Sequence, residues 1–294
     1  MSRAEVAAKD YPVLGYFASS NLTMIICECR DNSGMPIPES RRIIYGKNPL
    51  HEVVCQLKFP PILRIESEVP TAFQEAVREK YPLYSENPGM PAPPTLSPDA
   101  LRLLNTFMLR GTKLHEFATA DKIWKLTLAK DFIALSCAQY SRWEMFLERF
   151  EKPFRALLDQ YAPPFFSRIG LRYQNVIIRS LLGLQRVPWN QLLQPYVAGL
   201  LNSEIADEVD IVNHQVSFSL PGKIGTVTMH HGLARIEGSQ EPIYLIDNDY
   251  FSEERSDTTD AIERLKQFNA HSGRVFRWLI KDQLDRAMDP QPVA

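Results

Sequence analysis

The sequence predicts an α+β protein made of two tandem modules, each with the element order βαβββα. Short segments in which apolar and polar residues alternate fall into two groups along the 294 residues, and one long amphipathic helix ends each group. Residues 133–140 and 243–250, which come just before the two long helices, are identical at three of eight positions. Antiparallel sheets packed against long helices would bury the apolar face of both kinds of element.

Residues 1–47 are predicted to be a poorly defined N-terminal extension. Two weak strand candidates lie at 22–28 and 42–45, with a turn-prone Asp-Asn-Ser-Gly segment between them. Met35 is an alternative translation start, and the first 34 residues would then be dispensable for the fold.

The first module is assigned to residues 48–164. It begins with a strand at 50–59, where the residues alternate, and continues with a helix at 70–81. Residues 87–98 contain five prolines and are predicted to form an extended connector. A short helix and a meander of three strands follow at 98–105, 113–118, 123–128 and 132–140.

The long helix of the first module is predicted at 143–161. Apolar residues recur there every three or four positions, beginning with Trp143, which gives one broad apolar face. On the other side Glu148 and Lys152, and Glu151 and Arg155, are spaced for ion pairs along the helix. The apolar face must therefore be covered by the sheet.

The second module is assigned to residues 165–294. Its predicted elements are a strand at 165–178, an interrupted helix at 189–201, strands at 209–220, 224–236 and 243–249, and a helix at 258–288. Pro221-Gly222 indicates a hairpin, and Gly273 is the expected weak point of the last helix. This order is close to that of TATA-binding-protein-like and helix-grip folds, and such a likeness carries no function by itself.

The composition and charge of the chain indicate some classes of protein and argue against others. A 45% hydrophobic and 23% charged chain is typical of a folded domain, and a net charge of −2 argues against a general nucleic-acid-binding surface. No apolar run is long enough to cross a membrane. Four scattered cysteines do not form a disulfide framework, which favours a reduced, cytoplasmic protein.

Several segments carry a resemblance to a known family. The opening at 48–59, Asn-Pro-Leu-His-Glu-Val-Val-Cys-Gln-Leu-Lys-Phe, resembles that of a sporadically distributed prokaryotic family of unknown function. The Gly-Leu-Arg-Tyr strand at 170–173 and the helix that contains His271 are similar to the same family, so the likeness covers residues 45–290. The resemblance implies no catalytic residues. The patchy occurrence of such families suggests an accessory or defence-type gene.

Arg168 and Arg172 project from one face of the strand at 165–178. They could clamp a phosphate or carboxylate, or pair across the sheet with an acid such as Glu52. Structural pairing is the preferred interpretation. His271 lies near the buried stripe of the last helix, where a hydrogen-bonded core histidine is the usual finding.

Three aromatic residues, Trp143, Tyr173 and Trp278, are candidates to line a pocket. Other polar groups have structural explanations. His214, His230 and His231 lie on neighbouring strands, and a two-residue turn at Pro221-Gly222 would place His214 diagonally near His231. Two histidines without a third ligand make a poor metal site, and the spacing of Cys27 and Cys29 is poor for zinc, so no metal is expected. Asp247 and Asp249 are interpreted as solvating the end of a strand.

No phosphate loop, nucleophile elbow or metal-binding helix motif occurs in the sequence. The first hypothesis is therefore a non-catalytic cytoplasmic binding or scaffold protein that recognises a protein partner and needs no cofactor. The alternative is a small-molecule or nucleotide sensor with a helix-grip pocket, for which a small anionic ligand is suitable. A second alternative is an enzyme or nucleic-acid binder that uses Arg168, Arg172 and His271. Assembly with further copies of the chain is left open.

Deletion of residues 1–34 is expected to leave the fold intact, because the periodic core begins at Leu50. The truncated and full-length proteins should therefore have the same melting temperature by circular dichroism. Loss of soluble protein on truncation would contradict this expectation.

Overall fold

The computed structural model of this chain describes residues 37–87, 113–235 and 241–292. Nine of the strands form one antiparallel sheet with helices packed against it, and two short strands form a separate small sheet. The predicted α+β class is confirmed. The expected strand at 22–28, nearly all of the connector at 87–98 and the short helix at 98–105 lie outside the described residues.

Helices and strands are numbered along the chain, and short 3₁₀ turns lie between some of them. The elements of the first half are β1 (Ile43–Tyr45), β2 (Leu50–Lys58), α1 (Leu63–Ser67), α2 (Thr71–Val77), β3 (Leu83–Asn87), β4 (Leu114–Ala118), β5 (Trp124–Ala129), β6 (Phe132–Cys137) and α3 (Trp143–Tyr161). Those of the second half are β7 (Arg168–Ile177), α4 (Trp189–Leu192), α5 (Pro195–Ala198), β8 (His214–Ser219), β9 (Thr226–Arg235), β10 (Pro242–Ser252), α6 (Ala261–Leu279), α7 (Asp282–Ala287) and β11 (Pro290–Pro292).

The large sheet has the strand order β3-β4-β5-β6-β2-β7-β10-β9-β8. At its centre β2 and β7, the first long strand of each half, pair antiparallel, with Val54 opposite Arg172. On either side of this pair the next strand is the one that precedes a long helix, β6 or β10. Strands from both predicted modules therefore belong to one sheet. The module boundary that the sequence predicts between residues 164 and 165 does not divide it.

The two faces of the sheet differ in character. Ile169, Leu171 and Tyr173 of β7 are buried, and the Tyr173 hydroxyl donates to Asn269 Oδ1 of α6 at 2.8 Å. This face of the sheet is therefore the one that the helices cover. Because side chains alternate along a strand, Arg168 and Arg172 project from the opposite face.

α3 has the bounds that its apolar spacing predicts. Aromatic and aliphatic residues on its inner side are buried: Phe146, Phe150, Phe154 and Leu157. The predicted pair between Glu151 and Arg155 is present at 2.6 Å. Glu148 instead pairs with Lys80, just after α2, at 3.1 Å. One of the two predicted ion pairs is thus replaced by a contact with the preceding helical segment.

The last helix is shorter than predicted. The sequence predicts a single helix over 258–288, whereas α6 and α7 are separated by Ile280 and Lys281 in extended conformation. The Lys281 N–H donates to the carbonyl of Leu192 at 2.8 Å, so a tertiary backbone contact replaces the helical hydrogen bond. Gly273, the expected weak point, lies within α6 and does not break it.

The first half contains elements that the sequence did not predict. All five side chains of β3 are exposed, so this edge strand has no alternation of buried and exposed residues to reveal it. Between α2 and α3 the described residues therefore form four strands, where three were expected. The additional helix α1 follows directly after Pro60 and Pro61. The helix expected at 70–81 is shorter, since α2 ends at Val77.

Trp143 is the buried anchor at the start of α3, with only 7% of its surface exposed and its ring stacked on Phe146. Trp143→Ala should lower the free energy of unfolding by about 3–5 kcal/mol, because the lost contacts leave a cavity. Met145→Ala, in the same turn but 38% exposed, is the matched control and should have a much smaller effect. Equal losses in urea denaturation would contradict the assigned role of Trp143.

Candidate functional site

A cavity of about 430 Å³ lies on the helix-covered face of the sheet, between the start of α3 and the middle of α6. Residues of β2, β7 and β10 contribute to it from the centre of the sheet, and residues around β1 form another side. Its volume is in the range of pockets that bind small molecules. This cavity is the candidate functional site.

Residues 37–48, here called the strap, run along one side of the cavity and are tied to α6. Arg274 Nη2 donates to the carbonyl oxygen of Ile37 at 2.7 Å, and Arg277 donates to the hydroxyl of Ser40. β1 also pairs with β11, which follows α7. The strap therefore depends on two arginines of α6 for part of its anchorage.

The strap is also tied to the first turn of α3. The Arg42 guanidinium contacts both carboxylate oxygens of Glu144 at 2.7 Å. The hydrogen bonds from Arg42 lower the pKa of Glu144 to about 2. At the other end of the strap, Asn48 donates to the carbonyl oxygen of Tyr140 at 2.9 Å. Arg42 thus has a carboxylate partner of its own.

The charge of the cavity lining is positive. Four arginines contribute to it, Arg42, Arg142, Arg274 and Arg277, and no aspartate or glutamate of the described ranges does. The buried Nε atoms of Arg274 and Arg277 have no hydrogen-bond partner among the residues described. Burial lowers the pKa of Arg277, and the nearby Asp285 carboxylate acts in the opposite direction. The two Nε atoms have almost no accessible surface, so they are covered by protein atoms and are not open to the cavity.

The start of α3 adds to the positive character. Ser141, Arg142 and Trp143 all line the cavity. Arg142 is the extended residue that precedes the helix, and its side chain makes no capping hydrogen bond. The N–H groups in the first turn of a helix carry partial positive charge and attract anions. The protein itself supplies a negative group here, since the Glu144 carboxylate lies in this first turn and accepts a backbone N–H.

The part of the cavity formed by the sheet carries amide side chains. Asn248 of β10 is 1% exposed, and its amide forms a side-chain hydrogen bond with the Tyr250 hydroxyl. Asn175 of β7 donates to the carbonyl oxygen of Ile246 at 3.2 Å, and Asn269 accepts from Tyr173. The amide groups of this side of the lining are therefore held by partners within the protein.

Aromatic rings complete the lining. Tyr140 and Tyr173 meet edge to face with their centroids 5.8 Å apart, and Trp143 and Phe276 lie on the helical sides. Burial raises the pKa of both tyrosines well above the ordinary value, so their hydroxyls are neutral. The cavity thus combines cationic, neutral polar and aromatic surface.

The structure brings only two of the six sequence-predicted site residues into this cavity, Trp143 and Tyr173. Trp278 stacks on Tyr196 instead, with 4.7 Å between ring centroids. His271 is half-buried on α6, and burial together with Arg274 lowers its pKa.

Arg168 and Arg172 lie on the opposite face of the sheet and are paired there. Arg168 donates to Asp249 at 2.7 Å, and Arg172 Nε donates to Asp247 Oδ1 at 2.6 Å. The preferred interpretation, pairing across the sheet, agrees with this geometry, although the suggested partner was Glu52. The two aspartates do not merely solvate the end of a strand. The set Arg168, Arg172 and His271 does not form one site, because its members lie on two faces of the sheet.

His214 and His231 pack against neighbouring side chains in the second half of the protein. His214 and His231 lie directly opposite each other on β8 and β9, whereas a two-residue turn at Pro221-Gly222 would place them diagonally. The connection between Ser219 and Thr226 is longer than such a turn. His231 Nδ1 is 2.8 Å from the Tyr244 hydroxyl. Burial, with smaller effects of His214 and its neighbour, lowers the pKa of His231 to about 4.

Metal-binding residues are not clustered in the described ranges, where no three His, Cys, Asp or Glu side chains could hold an ion. Cys27 and Cys29 lie outside these ranges, and Cys55 and Cys137 are buried free thiols. None of the described helices is long and apolar enough to cross a bilayer.

Sequence reasoning missed the residues that give the cavity its chemistry, namely Arg274, Arg277, Asn248 and Asn269. The spacing of Arg274 and Arg277 places them on one side of a helix, which is the only signal that could have drawn attention to them. The missing information was the packing of α6 against the strap, which gives these arginines neutral acceptors at Ile37 and Ser40.

Comparison with models of known protein families gave no match, and no curated protein was found to be similar in sequence. The resemblance to a sporadically distributed prokaryotic family therefore stays a prediction.

Arg172→Met should lower the free energy of unfolding by about 3 kcal/mol or more, because it leaves the buried carboxylate of Asp247 without its cation. Arg168→Met should cost less, about 1–2 kcal/mol, since the side chain of Asp249 is 22% exposed. Equilibrium urea denaturation measures both effects.

The double variant Arg172→Met with Asp247→Leu removes both charges and should regain much of the stability. Unchanged or increased stability in both single variants would show that the arginines repel each other without a structural partner.

Proposed function

We propose that this protein binds a small anionic ligand in the cavity between α3, α6 and the strap, and that it does so without catalysing a reaction. The observation that carries the proposal is the composition of the lining, which contains four arginines and, in the described ranges, no aspartate or glutamate. Arg274 and Arg277 donate to a carbonyl oxygen and a hydroxyl of the strap, and neither group is charged. An anion would give both arginines a charged partner.

The geometry of arginine favours this interpretation. Arg274 and Arg277 each donate through Nη2 to the strap. A guanidinium has five N–H donors in one plane, so its other terminal N–H groups can bind a carboxylate or phosphate.

The lining supports binding more than catalysis. Its hydroxyl groups belong to serines and tyrosines, while no histidine, cysteine, lysine or carboxylate of the described residues lines the cavity. General base catalysis requires a group whose pKa lies near the working pH. A ligand sensor in the cytoplasm is consistent with these residues and with the free thiols. Recognition of a protein partner stays a prediction.

The two-module organisation is part of the proposal. The strand order is the same on both sides of the β2–β7 pair, apart from the additional edge strand β3. This symmetry supports two tandem modules at 48–164 and 165–294, after an extension at 1–47, in a TATA-binding-protein-like or helix-grip arrangement. The cavity would then lie at the seam between the modules, where both long helices contribute residues.

Isothermal titration with ribose 5-phosphate and with citrate tests the proposed function. Arg277→Met and Arg274→Met should each weaken binding of an anionic probe about tenfold or more, because each removes a charge-assisted hydrogen bond. Arg155→Met, which changes an exposed arginine on the outer side of α3, is the matched control and should leave binding unchanged.

An affinity that does not change in either cavity variant would contradict the assigned site. Equally weakened binding in all three variants would indicate that the probe is attracted by the positive charge of any arginine and not by the assigned site.

A further inference from the structure

We propose that β8 is an interface at which two copies of this chain join edge to edge, with a two-fold axis at Ser217. β8 is the last strand of the large sheet, and among the described strands only β9 pairs with it. None of the residues of β8 lines the cavity. This inference therefore does not depend on the proposed anion site, and it adds an interaction surface and a partner.

The backbone groups that β8 leaves unpaired follow from its register. Opposite residues of an antiparallel pair alternate between those that exchange hydrogen bonds and those that do not. At the two ends of β8, the N–H groups of Val212 and Leu220 donate to carbonyl oxygens on the β9 side at 3.1 and 2.8 Å. The even-numbered residues therefore bond to β9. The N–H and C=O groups of Gln215, Ser217 and Ser219 point to the free edge.

No feature of β8 itself protects this edge from another strand. Edge strands of native proteins are commonly protected by charged side chains, proline or a bulge. Residues 214–219, His-Gln-Val-Ser-Phe-Ser, contain no proline and no Asp, Glu, Lys or Arg, and their register with β9 is regular. The opposite edge strand, β3, differs, because its Glu86 forms an ion pair with Lys113 at 3.3 Å. β8 is therefore the edge that is suited to pairing with a further strand.

One face of β8 is apolar and incompletely covered. Val216 lies opposite Met229, and Phe218 lies opposite Val227. Met229 and Val227 are buried on the face of the sheet that the helices cover. Val216 itself is 45% exposed, and Phe218 is half-buried. Part of the apolar face of β8 is therefore available to a partner.

The segment that leads into β8 adds exposed apolar surface. Gly199 lies next to the imidazole of His214, so this segment passes beside the start of β8. Single exposed apolar residues are normal, whereas a concentration of them is typical of an interface with another protein. Six of the eleven large apolar side chains that are exposed in the described residues lie between positions 181 and 216: Leu181, Tyr196, Leu200, Ile205, Ile211 and Val216.

A second copy of the chain is the partner that the sequence of β8 fits. A two-fold axis at Ser217 places Val216 of each copy opposite Phe218 of the other. Pairs of an aromatic and a β-branched residue stabilise antiparallel strands. Gln215 and Ser219 meet across the axis in the same way, so no like charges face each other. This register pairs the free backbone groups of both strands and joins two nine-stranded sheets into one.

The charges at the two ends of β8 agree with this arrangement. Asp207 and Glu208, in the turn before β8, are exposed, and so is Lys223 in the turn after it. Antiparallel pairing brings the beginning of one β8 to the end of the other. The acidic turn of each copy then lies at the same end of the interface as Lys223 of the second copy. This complementarity favours a second copy over an unrelated partner.

Two charge variants at the two-fold axis test the interface. Analytical ultracentrifugation of the full-length protein should show a dimer at micromolar concentration. Ser217→Lys and Ser217→Glu should each raise the dissociation constant of the dimer about tenfold or more, because each places two like charges directly opposite each other. An equimolar mixture of the two variants should form the dimer again, since opposite charges then meet at the axis.

Ser85→Lys is the matched control, because Ser85 is an exposed serine on the opposite edge strand, β3. It should leave the dissociation constant unchanged. Melting temperatures by circular dichroism show whether the variants fold. Hydrogen exchange gives a measurement without any substitution: the Ser217 amide of the unmodified protein should exchange more slowly as the protein concentration rises, since the dimer pairs it.

A monomer at every concentration would overturn the proposal, as would a Ser217 amide whose exchange does not depend on concentration. A dimer that Ser85→Lys weakens as much as Ser217→Lys would also overturn it. Failure of the mixed variants to associate would contradict the position of the axis at Ser217. Loss of anion binding with the dimer intact would contradict the proposed function alone.

Discussion

The antiparallel pairing of β2 with β7 is the constraint on which the rest of the structure depends. It joins the first strand of each half over eight residue pairs, from Leu50 to Lys58 on β2, and so makes one sheet from two. The strands that lead into α3 and α6 flank this pair, which brings both long helices to the same face of one sheet. Because α3 and α6 start from different strands, they leave part of the sheet surface between them uncovered. The cavity lies over that part of the sheet, and the strap forms one of its sides.

The arginines of this fold separate into two groups by their partners. Arg172 has the almost fully buried carboxylate of Asp247, and Arg42 has Glu144, so their charges are compensated within the protein. Arg274 and Arg277 are half-buried and donate to a carbonyl and a hydroxyl, which are uncharged. Asp285 lies close enough to raise the pKa of Arg277 but forms no salt bridge with it in the contacts described. The partner distinguishes these arginines, since two have a carboxylate in direct contact and two have neutral acceptors.

Regular patterns in the sequence were sufficient to predict the elements that have one buried and one exposed face. The bounds of α3 follow from apolar residues at helical spacing, and β7 follows from strict alternation. β3 could not be found in this way, because an edge strand with only exposed side chains has no such pattern. The break after α6 was equally hidden, since it depends on a backbone contact between Lys281 and Leu192, which are distant in the sequence. The cavity has the same origin: Asn248 lies on a strand and Arg277 on a helix, and only the packing of α6 on the sheet brings them to one lining.

The strap links the stability of the site to its chemistry. Arg274 and Arg277 hold Ile37 and Ser40 through one terminal nitrogen each. A guanidinium has five N–H donors in a fixed plane, so it can bind the strap and an anion at the same time. An anion bound to both arginines would also reduce their mutual repulsion, because they are three positions apart on one helix. The contacts that close the cavity and those proposed to hold the ligand therefore support each other, and neither excludes the other.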